Sequence, residues 1–214
     1  VAVLDRVIVI AGPSCVGKST LIDALRRGEH PRLAAALGLH DPKAWVFQNA
    51  RRTARAAIET AARNLVLHYD IVRPAMEPSI AGYADDPGLA PMLEARELCV
   101  CTIWGKGDLL RARAAFKSRR RARIDSTALH SPRQWWLRNR RMSTLRSWYR
   151  NDVFVLGLYD QWFAFVGSVS PGARQLIVNA LEPESIATPI AHWRASRSDH
   201  EESRRTAGGS LGPR

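Results

Sequence analysis

The sequence predicts an α/β fold in which a parallel sheet of five strands lies between two layers of helices. Three observations point to it. Five short strand-like runs alternate with longer segments of helical pattern, the order expected of strand–helix–strand units. Two of the runs, LVLHY and LCVCTIW, are apolar almost throughout, as strands covered on both faces are. The first run leads directly into a glycine-bearing turn and an apolar helical pattern.

Taken in order, β-branched residues predict a strand at Val7–Ala11, and Leu21, Ile22 and Leu25 set the core face of a helix at Ser19–Arg27. A short strand follows at Trp45–Phe47, with a helix at Ala50–Arg63 and a strand at Leu65–Tyr69. A helix over Pro87–Arg96 precedes the strand Leu98–Trp104. Three helices then come in succession, Asp108–Arg123, Pro132–Arg150 and Asp152–Val166, before a last strand at Gln175–Asn179. Val153–Val169 is the most apolar stretch, but Asp160 and Gln161 near its middle favour a buried helix over a membrane span. From Arg194 the chain loses apolar periodicity and ends in Gly and Pro, so 194–214 is read as a disordered tail behind a domain of 1–193.

At 214 residues and 46% hydrophobic content, one α/β domain with a sizeable core is expected. The glycine turn lies close to the first residue given, so the expectation is a cytoplasmic protein with no signal peptide and no membrane partner. Three cysteines make no disulfide framework. Cys99 and Cys101, two apart on a strand, are expected to pack. His68 lies within a strand and is also expected to pack, while the other histidines show no ligand spacing.

Residues Gly12, Pro13, Ser14, Cys15, Val16, Gly17, Lys18 and Ser19 match G-x-x-x-x-G-K-[ST] in full. Glycines let successive backbone N–H groups turn toward phosphate oxygens, and the helix opening at Ser19 adds its positive end. Gly12 to Thr20 are therefore expected to hold a triphosphate, with Lys18 bridging its β- and γ-phosphates. Ser19 is expected to be a ligand of Mg²⁺. Lys18, on a turn that faces phosphate, is given no packing role.

Asp70 ends the run NLVLHYD, which places it at the carboxyl edge of the sheet, where ligands bind. It is read as a metal holder or as acceptor of a proton from an attacking hydroxyl; a helix N-cap or a partner for Arg73 is the alternative. Arg73 itself, and Arg51, Arg52 and Arg55 at the start of a helix, are candidate contacts for an acceptor. Tyr159, Asp160 and Gln161 are weaker candidates of the same kind.

GPSCVGKST resembles the phosphate loop of guanylate kinase and related nucleoside and nucleotide kinases. The resemblance is specific over residues 7–25 and topological to about residue 180. It implies a P-loop NTPase three-layer sandwich with a five-stranded parallel sheet, an Asp-ended strand beside the loop strand, and an arginine-bearing helical lid. Here CVCTIWGKGDLLRARAAFKSRRRAR occupies the place of the last strand and lid. Cys15 stands where the loop usually has a small residue, and the acceptor-binding tyrosines and arginines of guanylate kinases have no clear counterpart. The acceptor is therefore open.

The net charge of +12 is uneven: residues 104–150 carry 14 basic and 2 acidic side chains. Seven of the basic residues, Arg111, Arg113, Lys117, Arg119, Arg120, Arg121 and Arg123, fall on one helix and cannot share a face. An arginine lid, in which Arg111, Arg119 and Arg123 would stabilise phosphoryl transfer, is set against a nucleic-acid footprint and a solvated basic face. Trp135, Trp136, Trp148 and Tyr149 among the arginines fit base stacking or, preferably, packing. The reading is an ATP- and Mg²⁺-dependent kinase acting on a small-molecule acceptor. The alternatives are an NTPase with a nucleic-acid or protein partner and a P-loop sulfotransferase-like enzyme.

Overall fold

The computed structural model describes residues 4–50, 63–72, 80–125, 132–184 and 188–189. It is an α/β sandwich built on β1 (Arg6–Gly12), β2 (Val46–Asn49), β3 (Asn64–Asp70), β4 (Glu97–Trp104) and β5 (Arg174–Asn179). These five strands run parallel in the order β2-β3-β1-β4-β5, and a two-residue β6 (Thr188–Pro189) adds antiparallel to β5. Sequence periodicity gave no sign of β6, since two residues have no period. Residues 51–62, 73–79 and 194–214 lie outside the described residues, and with them the helix expected after Ala50, the tail, and Arg51, Arg52, Arg55 and Arg73.

Seven α-helices are present among the described residues: α1 (Lys18–Arg26), α2 (Pro31–Leu37), α3 (Ile80–Ala84), α4 (Ala90–Leu93), α5 (Gly107–Asp125), α6 (Pro132–Trp148) and α7 (Asp152–Val169). Two of them were not expected. α2 begins with Pro31 at its first turn and stops at Gly38, whose φ of 72° is left-handed, a start and stop pattern that is readable in sequence. α3 is only five residues long, too short for periodicity to show. The single helix expected over Pro87–Arg96 is a 3₁₀ turn, Pro87–Leu89, followed by α4. Asp86 sets this break: its carboxylate accepts the Gly88 N–H at 2.9 Å and the Tyr69 hydroxyl at 2.7 Å, fixing the turn to β3.

The core forms on both faces of the sheet. Val7–Ala11 of β1 are all buried, as the continuous apolar run requires. On one face α7 inserts Trp162, whose indole N–H donates to Thr102 at 3.0 Å and whose ring stacks on Tyr69 at 5.2 Å. Asn151 starts α7 by accepting the N–H groups of Val153 and Phe154, a cap worth about 1 kcal/mol. This buried placement accounts for the apolar stretch, and no described helix is long and apolar enough to cross a membrane. Cys99 and Cys101 pack in β4, and burial pushes the Cys99 thiol up to about 11.

Strand alternation places His68 on the face opposite Tyr69. There it is half-buried and bonded to Asn49 at 2.8 Å, so it is not the packed core residue that its strand position suggested.

Candidate functional site

The site grows from the turn between β1 and α1. Gly12 has φ 152°, and a Cβ there would lie 2.9 Å from Val16 and 3.0 Å from the Ile103 carbonyl, so only glycine fits. Gly17, at φ 112°, is the N-cap of α1. Between them Cys15 takes φ 72°, a conformation that few residues other than glycine adopt and that costs of order 1–3 kcal/mol. The nine-residue α1 has no side-chain cap at its start and no acid in its first turn. No side chain of α1 itself therefore caps its first N–H groups or opposes the positive end of its dipole.

Asp70 meets this turn from the neighbouring strand. In the register of β1 and β3 it stands opposite Gly12, and the Gly12 carbonyl accepts the Ile71 N–H at 3.1 Å. Its carboxylate accepts hydrogen bonds from the Ser14 hydroxyl and from the Val72 N–H. The Lys18 ammonium lies 3.7 Å from Asp70 Oδ1, and Arg141 of α6 lies 3.5 Å from Oδ2. Lys18 also donates to the carbonyls of Gly12 at 2.7 Å and Pro13 at 2.8 Å. With 4% of its surface exposed, Lys18 is part of the packed turn, contrary to the sequence reading that gave it no packing role. An ammonium can be buried there because a carboxylate and two carbonyls surround it.

Two contacts from far along the chain hold the turn. The buried Tyr149 hydroxyl donates to the Ser14 carbonyl at 2.8 Å, and burial, then the Asp70 charge, pushes this phenol well up. Arg113 of α5 donates to the Val16 carbonyl and, at 3.3 Å, to that of Ala180. Its guanidinium also covers Gly17, where a Cβ would meet Nη1 at 3.1 Å.

Beside this turn lies an open cleft of about 820 Å³ that reaches from Asn49 and His68 to Asn179 and Pro183. Ser14 to Thr20, Asp70, Arg113, Lys117 and Arg141 all border it. Arg111 does not. At 100° per residue it is turned some 200° from Arg113, and it pairs with Asp108 at 2.6 Å. Arg119 is exposed and does not line the cleft, while nothing is described of the Arg123 side chain. Tyr159 is fully buried, donating to the Ile103 carbonyl and accepting the Gly105 N–H, so it is a brace rather than an acceptor contact. Asp160 and Gln161 do not line the cleft. Of the aromatics between arginines, Tyr149 is buried and Trp148 packs on Phe154, whereas Trp136 is exposed beneath Arg140.

Ser19 and Thr20 are exposed at the start of α1. No group of three or more His, Cys, Asp or Glu suited to a metal occurs among the described residues. Ser19 and Asp70 both border the cleft, and a hydroxyl and a carboxylate are the kinds of oxygen donor that a hard cation takes. In comparisons with known proteins, no family model matches the chain and no curated sequence matches it.

Proposed function

We propose that this protein is an ATP-dependent phosphotransferase of the P-loop kinase class, moving the γ-phosphoryl group to a hydroxyl or phosphate of a small-molecule acceptor. The observation that carries the reading is the placement of Asp70. It ends the strand beside the one that feeds the glycine turn, with its carboxylate on Ser14 and 3.7 Å from the Lys18 ammonium. A carboxylate brought to a lysine-bearing anion turn suits a reaction that needs charge and position rather than a protein nucleophile.

In this reading residues 12–20 hold the polyphosphate on backbone N–H groups of the turn and the start of α1, and Lys18 sets a positive charge beside the transferred group. Mg²⁺, held by Ser19 and by Asp70 directly or through water, would supply charge neutralisation. Arg141 would add a second cation next to Asp70. Arg51, Arg55 and Arg73 remain the proposed acceptor contacts.

The test is ADP release from Mg²⁺-ATP in the presence of separate pools of polyols, sugars, nucleosides and nucleotides. At least one pool is expected to raise the rate over the acceptor-free value, and Lys18→Ala to remove the rise. A protein that neither binds nor consumes ATP would refute the reading. The exposed Trp136–Arg140 pair, 5.2 Å apart, favours a second reading as a nucleic-acid-stimulated NTPase. Hydrolysis that rises with single-stranded RNA or DNA, and with none of the pools, would select it.

A further inference from the structure

Beyond the glycine turn, the cleft has a wall that phosphate binding leaves unused. Phe116 of α5 lines it and is 62% exposed. It stands one helical turn past Arg113 and next to Lys117, so all three fall on the side of α5 toward the cleft. The turn after β5 contributes Ala180 and Pro183 to the same cleft. Arg113 fixes the relative position of these parts, since one guanidinium joins α5 to the Val16 carbonyl of the glycine turn and to the Ala180 carbonyl after β5. The outcome is a wall in which the exposed Phe116 ring stands between two cations, Arg113 where it adjoins the turn and Lys117 beside the ring.

That arrangement is complementary to a flat apolar ring joined to a polyphosphate. A phenyl ring left to water in a cleft offers a stacking surface that every nucleobase can use. We infer that Phe116 stacks on the base of the bound nucleotide and is the residue by which the cleft selects nucleoside triphosphates over inorganic polyphosphate. The inference rests on the reading of residues 12–20 as a polyphosphate site. It adds to that reading the chemical class of group bound beyond the phosphates and the side chain that recognises it.

Calorimetric titration of the full chain with ATP and, separately, with inorganic tripolyphosphate tests it. Wild type is expected to bind ATP more tightly than tripolyphosphate. Phe116→Ala is expected to weaken ATP about 5- to 150-fold, the range of one lost base–aromatic stack, and to leave tripolyphosphate unchanged. Phe116→Tyr, which keeps the ring, is expected to restore ATP binding. With 62% of its surface exposed, Phe116 can be truncated without a core cavity, and thermal melting checks that the variant is folded. Unchanged ATP affinity in Phe116→Ala overturns the inference, as does an equal loss for both ligands. If wild type binds neither ligand, it is the polyphosphate reading that fails; if it binds both and Phe116→Ala changes neither, only the role of Phe116 fails.

Discussion

The hydroxyl of Tyr149 donates to the carbonyl of Ser14 at 2.8 Å, joining the end of α6 to the turn after β1 across 135 residues of sequence. Ser14 is held at its other end too, because its own hydroxyl donates to Asp70 and Arg141 approaches both. The turn is thus fixed by β3 on one side and by α6 on the other. Its left-handed backbone at Cys15 persists because its neighbours over-determine it.

Tyr149→Phe removes one donor and leaves a buried carbonyl with one partner fewer. Unfolding in urea is expected to show a loss of about 1–3 kcal/mol, the cost of an unsatisfied buried acceptor. ATP affinity should fall in the same variant, because the turn is less constrained. Unchanged stability and unchanged affinity together would show that Tyr149 does not hold the turn.

Asp70→Asn keeps the shape of the side chain and removes the charge between Lys18 and Arg141. Turnover is expected to drop at least tenfold, about 1.4 kcal/mol of transition-state stabilisation, with a smaller change in ATP affinity. The asymmetry follows because metal placement or proton acceptance matters most in the transition state. A drop in affinity as large as the drop in turnover would instead make Asp70 a brace for the turn.

The sequence revealed the parts of this site that are contiguous and hid those that are not. Gly12 to Thr20 form one motif whose backbone demands are local, and Asp70 is marked by the strand that it ends. Arg141 lies in, and Tyr149 directly follows, a helix with no apolar face clean enough to orient it, and their partner Ser14 is more than 120 residues away. Packing of α6 against the rest of the fold decides that contact, and no spacing in the chain encodes it. Phe116 was hidden for the opposite reason: a lone exposed aromatic acquires meaning only from the cleft beside it. His68 shows a third case, since the choice of face depended on knowing that Asp70, two residues on, looks toward the turn.

Alkaline pH should unfold the protein by a definable route. Burial raises the thiols of Cys99 and Cys101 and the phenols of Tyr83, Tyr149 and Tyr159. The unfolded chain releases these protons from about its ordinary values, 9.0 for the thiols and 10.0 for the phenols, while the folded chain keeps them. The unfolded state then binds fewer protons, so stability is full below pH 9 and falls as pH rises. Each group contributes a slope of at most about 1.4 kcal/mol per pH unit. The share of Cys99 ends near its folded value of about 11. Urea midpoints from pH 7 upward should stay level until the thiols titrate, then fall more steeply once the phenols join. Cys99→Ala should flatten the first part of the fall. A level profile through pH 11 would contradict the burial of these groups.

The basic helix α5 yields the sharpest contrast, because two of its arginines are two residues apart and differ in every contact. Arg113 ties α5 to the Val16 and Ala180 carbonyls and covers Gly17. Arg111 is an exposed partner of Asp108 in an i, i+3 pair, worth only a few tenths of a kcal/mol. Arg113→Ala is expected to weaken ATP about tenfold and to lower stability by about 1–3 kcal/mol, through two carbonyls that lose a charged donor. Arg111→Ala and Arg119→Ala are expected to stay within about 0.5 kcal/mol of wild type, as surface substitutions do, with ATP affinity unchanged. ATP titration and urea unfolding of the three variants, repeated across a salt series, decide among the roles open to the basic segment. If Arg111→Ala or Arg119→Ala lowers turnover while ATP affinity holds, these side chains reach the phosphates during the reaction and α5 moves as a lid. If instead those variants lose a salt-sensitive affinity for RNA or DNA, the outer face of α5 is a nucleic-acid surface. With neither effect, the charges of Arg111 and Arg119 serve solvation, and among the described arginines of α5 Arg113 is the one on which the site depends.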